Sequence, residues 1–365
     1  MRINRADFLT KLEALSPGLS PQEVVEQSSC IAFKRGYAYS FNDEISVRTR
    51  SPLKIEGAVA AAPLLALLRK MPEDEIEITI ADGQLRLAGK RRGADVRMEA
   101  EITLPIGNVE TPAAWQPLHP EFCDAISIVE ACAGKDESKF ALTCVHLTPK
   151  WVEACDNLQA TRYKIATGFA GAALVRRDSI RHIIALGAVE FCETETWLHF
   201  RNPAHTVLSM RRFVEDYPSL KDILTVAGEP TQLPRGLAEA AERADVFAAE
   251  NSDADSVEIS LRPGKLVLQA ESALGRYWEN KKVKYSGKPL RFLIVPKILG
   301  AIVKKHSACV VTRDRLKVDG GKFIYVTVLG IPGELARENG DGGSEDEGEK
   351  EKPREKTRRR EKADD

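Results

Sequence analysis

The chain has few of the features that mark secreted, membrane-spanning or metal-binding proteins. Its 365 residues include seven cysteines, none of them in a CxxC pair. This predicts buried reduced thiols rather than a disulfide framework or a zinc site. No apolar run approaches the roughly 18 residues that a membrane span needs. The first residues, MRINRADFLTKLEAL, are charged and amphipathic, unlike a signal peptide. We therefore expect a cytoplasmic protein.

Enzyme motifs are also missing. The six histidines show no HExxH or HxH spacing, and there is no GxSxG, P-loop or GxGxxG sequence. Asp156 is the one carboxylate in a turn that could be functional, and it has no paired acid nearby in the sequence. We expect a non-catalytic protein without metal or cofactor. The alternative is an active site assembled only in three dimensions.

Charge of one sign does not dominate either. The chain has 53 Lys and Arg against 54 Asp and Glu, which excludes a globally basic nucleic-acid binder but not a local basic face. The basic turn Lys90–Arg92 could contact phosphate or be an ordinary solvated turn. The last residues are highly charged and almost without apolar side chains, which predicts a disordered tail. Its acidic first half and basic end could contact DNA or a partner, or serve solubility alone.

One hydrophobic pattern occurs three times. Residues 293–329 are predicted to form a short helix followed by three alternating strands. Aligning the copies at Val59, Val175 and Ile294 gives spacings of 116 and 119 residues (175 − 59 and 294 − 175). An earlier helix in each copy has equivalent apolar positions, namely Phe8 and Leu12, Phe122 and Ile126, and Leu237 and Ala241. Repeats of about 115 residues exceed solenoid units and have the size of small domains.

The pattern predicts an α+β protein with three domains, 1–117, 118–231 and 232–331, and a charged tail over 332–365. The order of YPSLKDIL, a helix, YSGKPLRFLIVPKILGAIVKKH and a final YVTVL resembles the last third of the bacterial DNA polymerase III beta sliding clamp family. Residues 156–166 are similar to the family's Thr-Asp-Gly-His-Arg-Leu-Ala motif, with residues 157–160 added. The resemblance extends over residues 1 to about 331.

The resemblance implies a fold and a function. Each clamp domain has two helices on one side and two small antiparallel sheets on the other, and two three-domain chains join head to tail into a ring. The ring encircles duplex DNA and tethers the replicative polymerase, so it is a processivity factor that catalyses nothing. A separate ATP-driven loader would open it, and repair proteins would bind through short peptides. The alternative is a clamp-fold scaffold that binds partner peptides without encircling DNA.

The resemblance places cations of the predicted helices in a central channel. Lys and Arg there would attract phosphates without reading sequence, which allows sliding. The alternative for each is an ordinary surface charge. The candidates are Arg5, Lys11, Arg69, Lys70, Arg176, Arg177, Arg181, Arg235, Arg243, Lys297, Lys304 and Lys305.

Two further sites are implied by the same resemblance. A pocket for partner peptides would lie between the second and third domains, and a homodimer interface would join the first domain to the third domain of the other chain. Ordinary packing within one domain is the alternative for both sites. The pocket candidates are Leu142, Arg162, Tyr163, Pro218, Ile223, Val326, Val328 and Leu329. The interface candidates are Val96, Met98, Val246 and Phe247.

Overall fold

A computed structural model describes residues 1–234, 236–248, 256–272, 275–306 and 308–330, apart from the side chains of residues 229 and 305. Within these ranges the chain forms eight α-helices and 24 strands, and every strand pairing is antiparallel. The predicted α+β class is confirmed. The predicted tail lies outside the described residues.

The first third of the chain carries two helices and eight strands. Helix α1 begins after Asn4, whose side chain accepts a hydrogen bond from the backbone N–H of Asp7 at 2.9 Å. The elements are β1 (Arg2–Asn4), α1 (Arg5–Glu13), β2 (Cys30–Lys34), β3 (Tyr37–Phe41), β4 (Ile45–Arg50), β5 (Gly57–Ala60), α2 (Ala61–Lys70), β6 (Glu75–Ala81), β7 (Gln84–Ala88) and β8 (Gly93–Glu99).

The middle third repeats this order with shorter helices. Helix α5 ends at Gly187, whose φ of 63° is the left-handed conformation that glycine adopts readily. The elements are β9 (Gln116–Pro117), α3 (Phe122–Val129), β10 (Cys144–Leu147), β11 (Trp151–Cys155), β12 (Gln159–Lys164), β13 (Ala173–Arg176), α4 (Arg177–Ile180), α5 (His182–Leu186), β14 (Glu190–Glu193), β15 (Trp197–Arg201), β16 (Val207–Arg211) and α6 (Lys221–Leu224).

The last third confirms the predicted order of a helix and three strands. Helix α8 has a proline in its first turn, where the missing N–H costs no hydrogen bond. The elements are β17 (Glu229–Gln232), α7 (Leu237–Ala248), β18 (Val257–Arg262), β19 (Lys265–Ser272), β20 (Gly275–Lys282), β21 (Leu290–Ile294), α8 (Pro296–Lys305), β22 (Ala308–Val311), β23 (Arg315–Asp319) and β24 (Phe323–Val328).

Two sheets join neighbouring thirds of the chain. One has twelve strands in the order β1-β6-β7-β8-β5-β2-β3-β4-β16-β15-β14-β9. The second has eight, β13-β10-β11-β12-β24-β23-β22-β17, and the third has four, β20-β19-β18-β21. We call the β4–β16 pairing the first seam and the β12–β24 pairing the second seam. At each seam the fourth strand of one repeat pairs with the last strand of the next.

The strands that begin each repeat place residues near the predicted domain limits. Strand β1 pairs with β6, and β9 and β17 pair in the same way with β14 and β22. Pairing therefore groups residues 116–117 and 229–232 with the repeat that follows them. The division into three domains remains our proposal.

The two faces of the sheets are covered differently. Helices pack in pairs on one face, α1 with α2, α3 with α5 and α7 with α8, over a large apolar core. On the opposite face, residues 102–109 cover Ala32, Phe41 and Trp197 near the first seam. Residues 217–226 cover Ala160 and Val326 at the second seam. We call these the helix face and the linker face.

The core of the middle third makes a stability prediction. Phe122 is fully buried, with its ring centroid 5.8 Å from Phe169 and 6.0 Å from Phe200. We expect Phe122→Ala to lower the free energy of unfolding by about 3–5 kcal/mol, since it leaves a cavity. Urea unfolding followed by circular dichroism measures this. Val24→Ala, at a side chain 72% exposed, should change stability by less than about 0.5 kcal/mol. Equal losses in the two variants would contradict the packing.

Candidate functional site

The helix face carries exposed cations from all three repeats. Lys11 and Lys70 are exposed at the last turns of α1 and α2, and Lys297 is exposed in the first turn of α8. Lys297 lies 4.0 Å from the carboxylate of Asp245. This face therefore carries carboxylates as well as basic groups.

Three other exposed candidates form close ion pairs with helix carboxylates. Arg69 bonds Glu13 at 2.8 Å, Arg181 lies 3.3 Å from Asp178, and Lys304 bonds Glu242 at 2.6 Å. The hydrogen bond from Lys304 lowers the pKa of the Glu242 carboxyl. Exposed pairs of this kind contribute little to stability and exchange partners at low cost, so phosphates can compete for these cations.

Four arginines are committed to the fold. Arg5 donates from Nε to the carbonyl of Glu73 at 2.8 Å and from Nη1 to the carbonyl of Leu68 at 2.9 Å, which fastens α1 to the end of α2. The other three contacts are Arg176 with Glu44 and Glu137, Arg177 with Glu130 and the carbonyl of Ala133, and Arg243 with Tyr277 and Glu279. Arg235 and the side chain of Lys305 lie outside the described residues.

The second seam brings several pocket candidates together. Leu142 and Val326 contact one apolar cluster with Cys155, Leu220 and Leu224 on the linker face. Tyr217 holds the linker in place, because its hydroxyl accepts a hydrogen bond from the N–H of Cys155 at 2.9 Å. Exposed side chains at the edge of this cluster are Pro218, Ile223 and Val328.

A buried carboxylate orients the cation of this pocket. Glu153 is 3–4% exposed, accepts a hydrogen bond from Arg162 Nε at 2.6 Å and lies 2.8 Å from His146 Nδ1. Burial alone would raise the pKa of Glu153, but the hydrogen bonds from His146 and Arg162 outweigh it and lower that pKa. The Arg162 guanidinium also lies 4.6 Å from the centroid of the Trp151 ring. Arg162 is therefore held in one orientation.

Two pocket candidates lie elsewhere. Tyr163 is on the opposite side of strand β12 from Arg162, where its hydroxyl donates to Glu121 at 3.1 Å and its ring stacks on Phe323. Leu329 is 5% exposed and belongs to the main core under the helices. The structure therefore does not bring these two side chains to the linker face. An apolar cavity of about 270 Å³ between α3 and α8 also lies on the helix face, not in this pocket.

The interface candidates differ in exposure. Val246 on α7 is 63% exposed, whereas the Phe247 ring stacks on Tyr277 at 6.2 Å between centroids. Val96 is 8% exposed and Met98 is partly buried against the main core. Of the four, Val246 is the side chain most available to a second chain.

Sequence reasoning missed the residues that shape the second seam. His146, Trp151 and Glu153 come together only through the register of β10, β11 and β12, in which Glu153 pairs with both His146 and Arg162. Tyr217, Leu220 and Leu224 are different, because they lie in the stretch 211–224. Its apolar character is unusual for a connection between domains and predicts packing against its own domain or a groove wall.

The described residues contain neither a helix of membrane-spanning length and hydropathy nor a group of three or more potential metal ligands. All seven cysteines are free thiols, and six are buried. Burial raises the pKa of Cys144 to about 11 and that of Cys309 to about 12.

Comparison with solved structures identifies the architecture. Three repeats of paired helices on antiparallel sheets form the DNA-clamp fold, and the chain has the fold of DNA polymerase III beta subunits. A Pseudomonas aeruginosa sliding clamp bound to griselimycin superposes with a TM-score of 0.78 at 14% identity, over 90% of this chain and 98% of that one. No protein-family model and no curated protein sequence matches.

Clamps from other bacteria also have the fold of this chain. The beta subunit of Streptococcus pyogenes DNA polymerase has a TM-score of 0.78 at 18% identity and is covered to 99%, against 90% of this chain. The beta subunit of Thermotoga maritima has a TM-score of 0.76 at 15% identity and is covered to 98%, again against 90%. At these identities the likeness establishes the fold, which confirms the resemblance seen in the sequence.

The Glu153 network predicts a pH-dependent stability. Glu153→Gln weakens hydrogen bonds to two basic groups, so we expect a loss of roughly 2–3 kcal/mol at pH 7. The pKa of Glu153 is lower in the folded chain than the unfolded value of about 4.3. The carboxylate therefore stabilises the fold above that value, and the effect disappears as the pH falls through the folded pKa. Chemical unfolding at pH 7 and below pH 4 measures both.

The matched control is Glu13→Gln, which removes an exposed ion pair with Arg69. It should cost no more than about 1 kcal/mol at either pH. A Glu153→Gln chain that is as stable as the unsubstituted protein at pH 7 would show that the network does not stabilise the second seam.

Proposed function

We propose that the chain is a DNA sliding clamp, a non-catalytic processivity factor that closes into a homodimeric ring around duplex DNA. The observation that carries this proposal is a pair of open strand edges. Each internal seam joins the fourth strand of one repeat to the last strand of the next. Two strands at equivalent positions, β20 in the last repeat and β8 in the first, have no such partner within the described chain.

Backbone pairing supports this equivalence. Strand β8 pairs along Gly93–Arg97 with β7 and pairs with β5 only through Met98 and Glu99. The other two repeats have the same feature, a single bridge from Phe213 to Leu174 and from Gly330 to Leu293 after the last strand. Strand β20 is the edge of the four-stranded sheet. An unpaired edge is a template for another strand, and pairing β20 with β8 of a second copy closes a head-to-tail ring of two.

The helix face suits a DNA channel. Exposed lysines from the first and last repeats lie on paired helices beside ion pairs that phosphates can displace. Attraction of this kind is strong at low salt and independent of base sequence, so the ring can slide. Arg5 and Arg243, whose guanidinium groups already have partners in the fold, would contribute mainly long-range charge.

The linker face at the second seam is the proposed site for partner peptides from polymerase, loader and repair proteins. Leu142 and Val326 form an apolar floor, exposed Val328 and Ile223 form its edge, and Arg162 provides an oriented cation for a peptide carboxylate or carbonyl. A short linear peptide with apolar anchors and one acceptor fits these groups. A cytoplasmic, nucleoid-associated location follows from the proposed activity. A scaffold that does not encircle DNA remains the second candidate and would need no basic helix face.

The DNA contact is tested by substituting lysines of the helix face. We expect Lys11→Gln/Lys70→Gln/Lys297→Gln to weaken binding to duplex DNA and to reduce the slope of log affinity against log salt. The reduction is up to about 5, because a ring of two chains loses six lysines and each lost phosphate contact removes about 0.9. Fluorescence anisotropy from 25 to 150 mM salt measures the slope.

A control triple with the same charge change uses exposed lysines away from the helices, Lys54→Gln/Lys265→Gln/Lys284→Gln. Its slope should stay close to that of the unsubstituted chain. Equal slopes for both triples would show that DNA does not contact the helix face and would favour the scaffold.

A further inference from the structure

A second pocket lies on the linker face at the first seam. It has a volume of about 360 Å³ and is formed by the end of β2, by β3, β4 and β16 and by residues 106–112. Its construction repeats that of the peptide pocket. Here too a connecting segment crosses the sheet where two repeats pair, and Ile106 and Val109 pack near Trp197 as Leu220 and Leu224 pack at the second seam.

The two pockets differ in charge. Lys34, Arg35 and Arg48 line the first-seam pocket, and none of them has a carboxylate within ion-pair distance among the residues that the structure describes. Glu110 is the acidic side chain of the lining, and both its oxygens are taken by Thr196, at 2.9 Å to Oγ1 and 3.2 Å to the backbone N. Burial alone would raise the pKa of the Glu110 carboxyl, but these hydrogen bonds lower that pKa, so it is ionised at pH 7. The lining therefore carries three cations against one carboxylate, an excess of two positive charges.

The groups beneath the pocket add no negative charge. His199 is fully buried, with Nδ1 2.7 Å from the hydroxyl of Ser209 and Nε2 3.1 Å from that of Thr194. Burial lowers the pKa of His199 to about 4, so the ring is neutral at pH 7. The pocket is therefore net positive, which favours an anionic ligand.

The aromatic side chains argue for a peptide rather than a nucleic acid. Arg48 lies over the ring of Tyr37 at 5.2 Å, and Tyr39 is half-buried against the apolar cluster. Their faces are therefore not open platforms for base stacking, which single-stranded nucleic acids require. Apolar walls with three cations suit an extended acidic segment.

We propose that this pocket binds the acidic stretch of the same chain at residues 345–349, Glu-Asp-Glu-Gly-Glu. The stretch carries four carboxylates and no basic residue, which complements three unpaired cations. The described chain ends at Gly330, two residues after strand β24 of the second seam. Residues 331–344 can extend over about 50 Å. The repeat between the two seams is roughly 35 Å across, so the stretch reaches the pocket. Tethering raises its local concentration to the millimolar range, which makes weak ion pairs effective.

A zero-length carbodiimide cross-linker tests the contact in the full chain, because it joins an amine only to a carboxylate that touches it. We expect mass spectrometry to find Lys34 linked to Glu345, Asp346, Glu347 or Glu349 at least tenfold more than exposed Lys54. The yield should fall more than fivefold in 0.5 M NaCl, which screens ion pairs. The yield should fall by the same factor in the Arg35→Gln/Arg48→Gln variant, which removes two of the three cations but keeps the reactive amine of Lys34.

The matched control is Arg2→Gln/Arg262→Gln, at two exposed arginines outside the pocket, and its yield should be unchanged. Mixing isotope-labelled and unlabelled chains shows whether the acidic stretch comes from the same chain or from a second copy. Cross-linked peptides that carry one isotope only confirm the same chain. Cross-linked peptides that combine both isotopes assign the stretch to a second copy and overturn the proposal. Equal linking of Lys34 and Lys54 overturns it as well. So does a labelled oligonucleotide that binds through Arg35 and Arg48 while Lys34 stays unlinked.

Discussion

Strand pairing between repeats is the interaction on which the rest of the structure depends. Each repeat leaves its fourth and last strands with open edges, and an open edge leaves backbone N–H and C=O groups without partners. Pairing of β4 with β16 and of β12 with β24 satisfies two pairs of edges within the chain. The same rule leaves β8 and β20 for a second copy. Fold and proposed assembly therefore follow from one constraint.

The two faces of the sheets differ in what covers them and in the groups that they expose. Paired helices cover one face and present exposed lysines and exchangeable ion pairs. Connecting segments cross the other face at the seams and create a pocket at each crossing. At the second seam, buried Glu153 orients one cation, Arg162. At the first seam, three cations line the pocket and none of them is in an ion pair within the described part of the chain. We therefore expect the two pockets to select different peptides, although they are built in the same way.

Much of the fold could be predicted from local pattern. The helix and three strands over residues 293–329 and the repeated apolar helix positions depend on side chains close in sequence, and the structure contains them. The side-chain direction of Tyr163 could not be predicted, because strand alternation around the extra residues 157–160 decides which face it takes. The partners of Arg5 and Arg243 lie more than 30 residues away, as the bonds to Leu68 and Glu279 show. The pocket at the first seam depends on pairing between residues 46 and 209 and is not visible in a single sequence.

Sedimentation equilibrium tests the ring most directly. The account predicts that the full chain at micromolar concentration has twice its monomer mass of 40.3 kDa, and that Val246→Glu, which places a charge on the exposed valine of α7, is monomeric. The same substitution at exposed Val24 should leave the dimer intact. A monomeric unsubstituted chain, or a Val246→Glu chain that stays dimeric, would contradict closure through the first and last repeats.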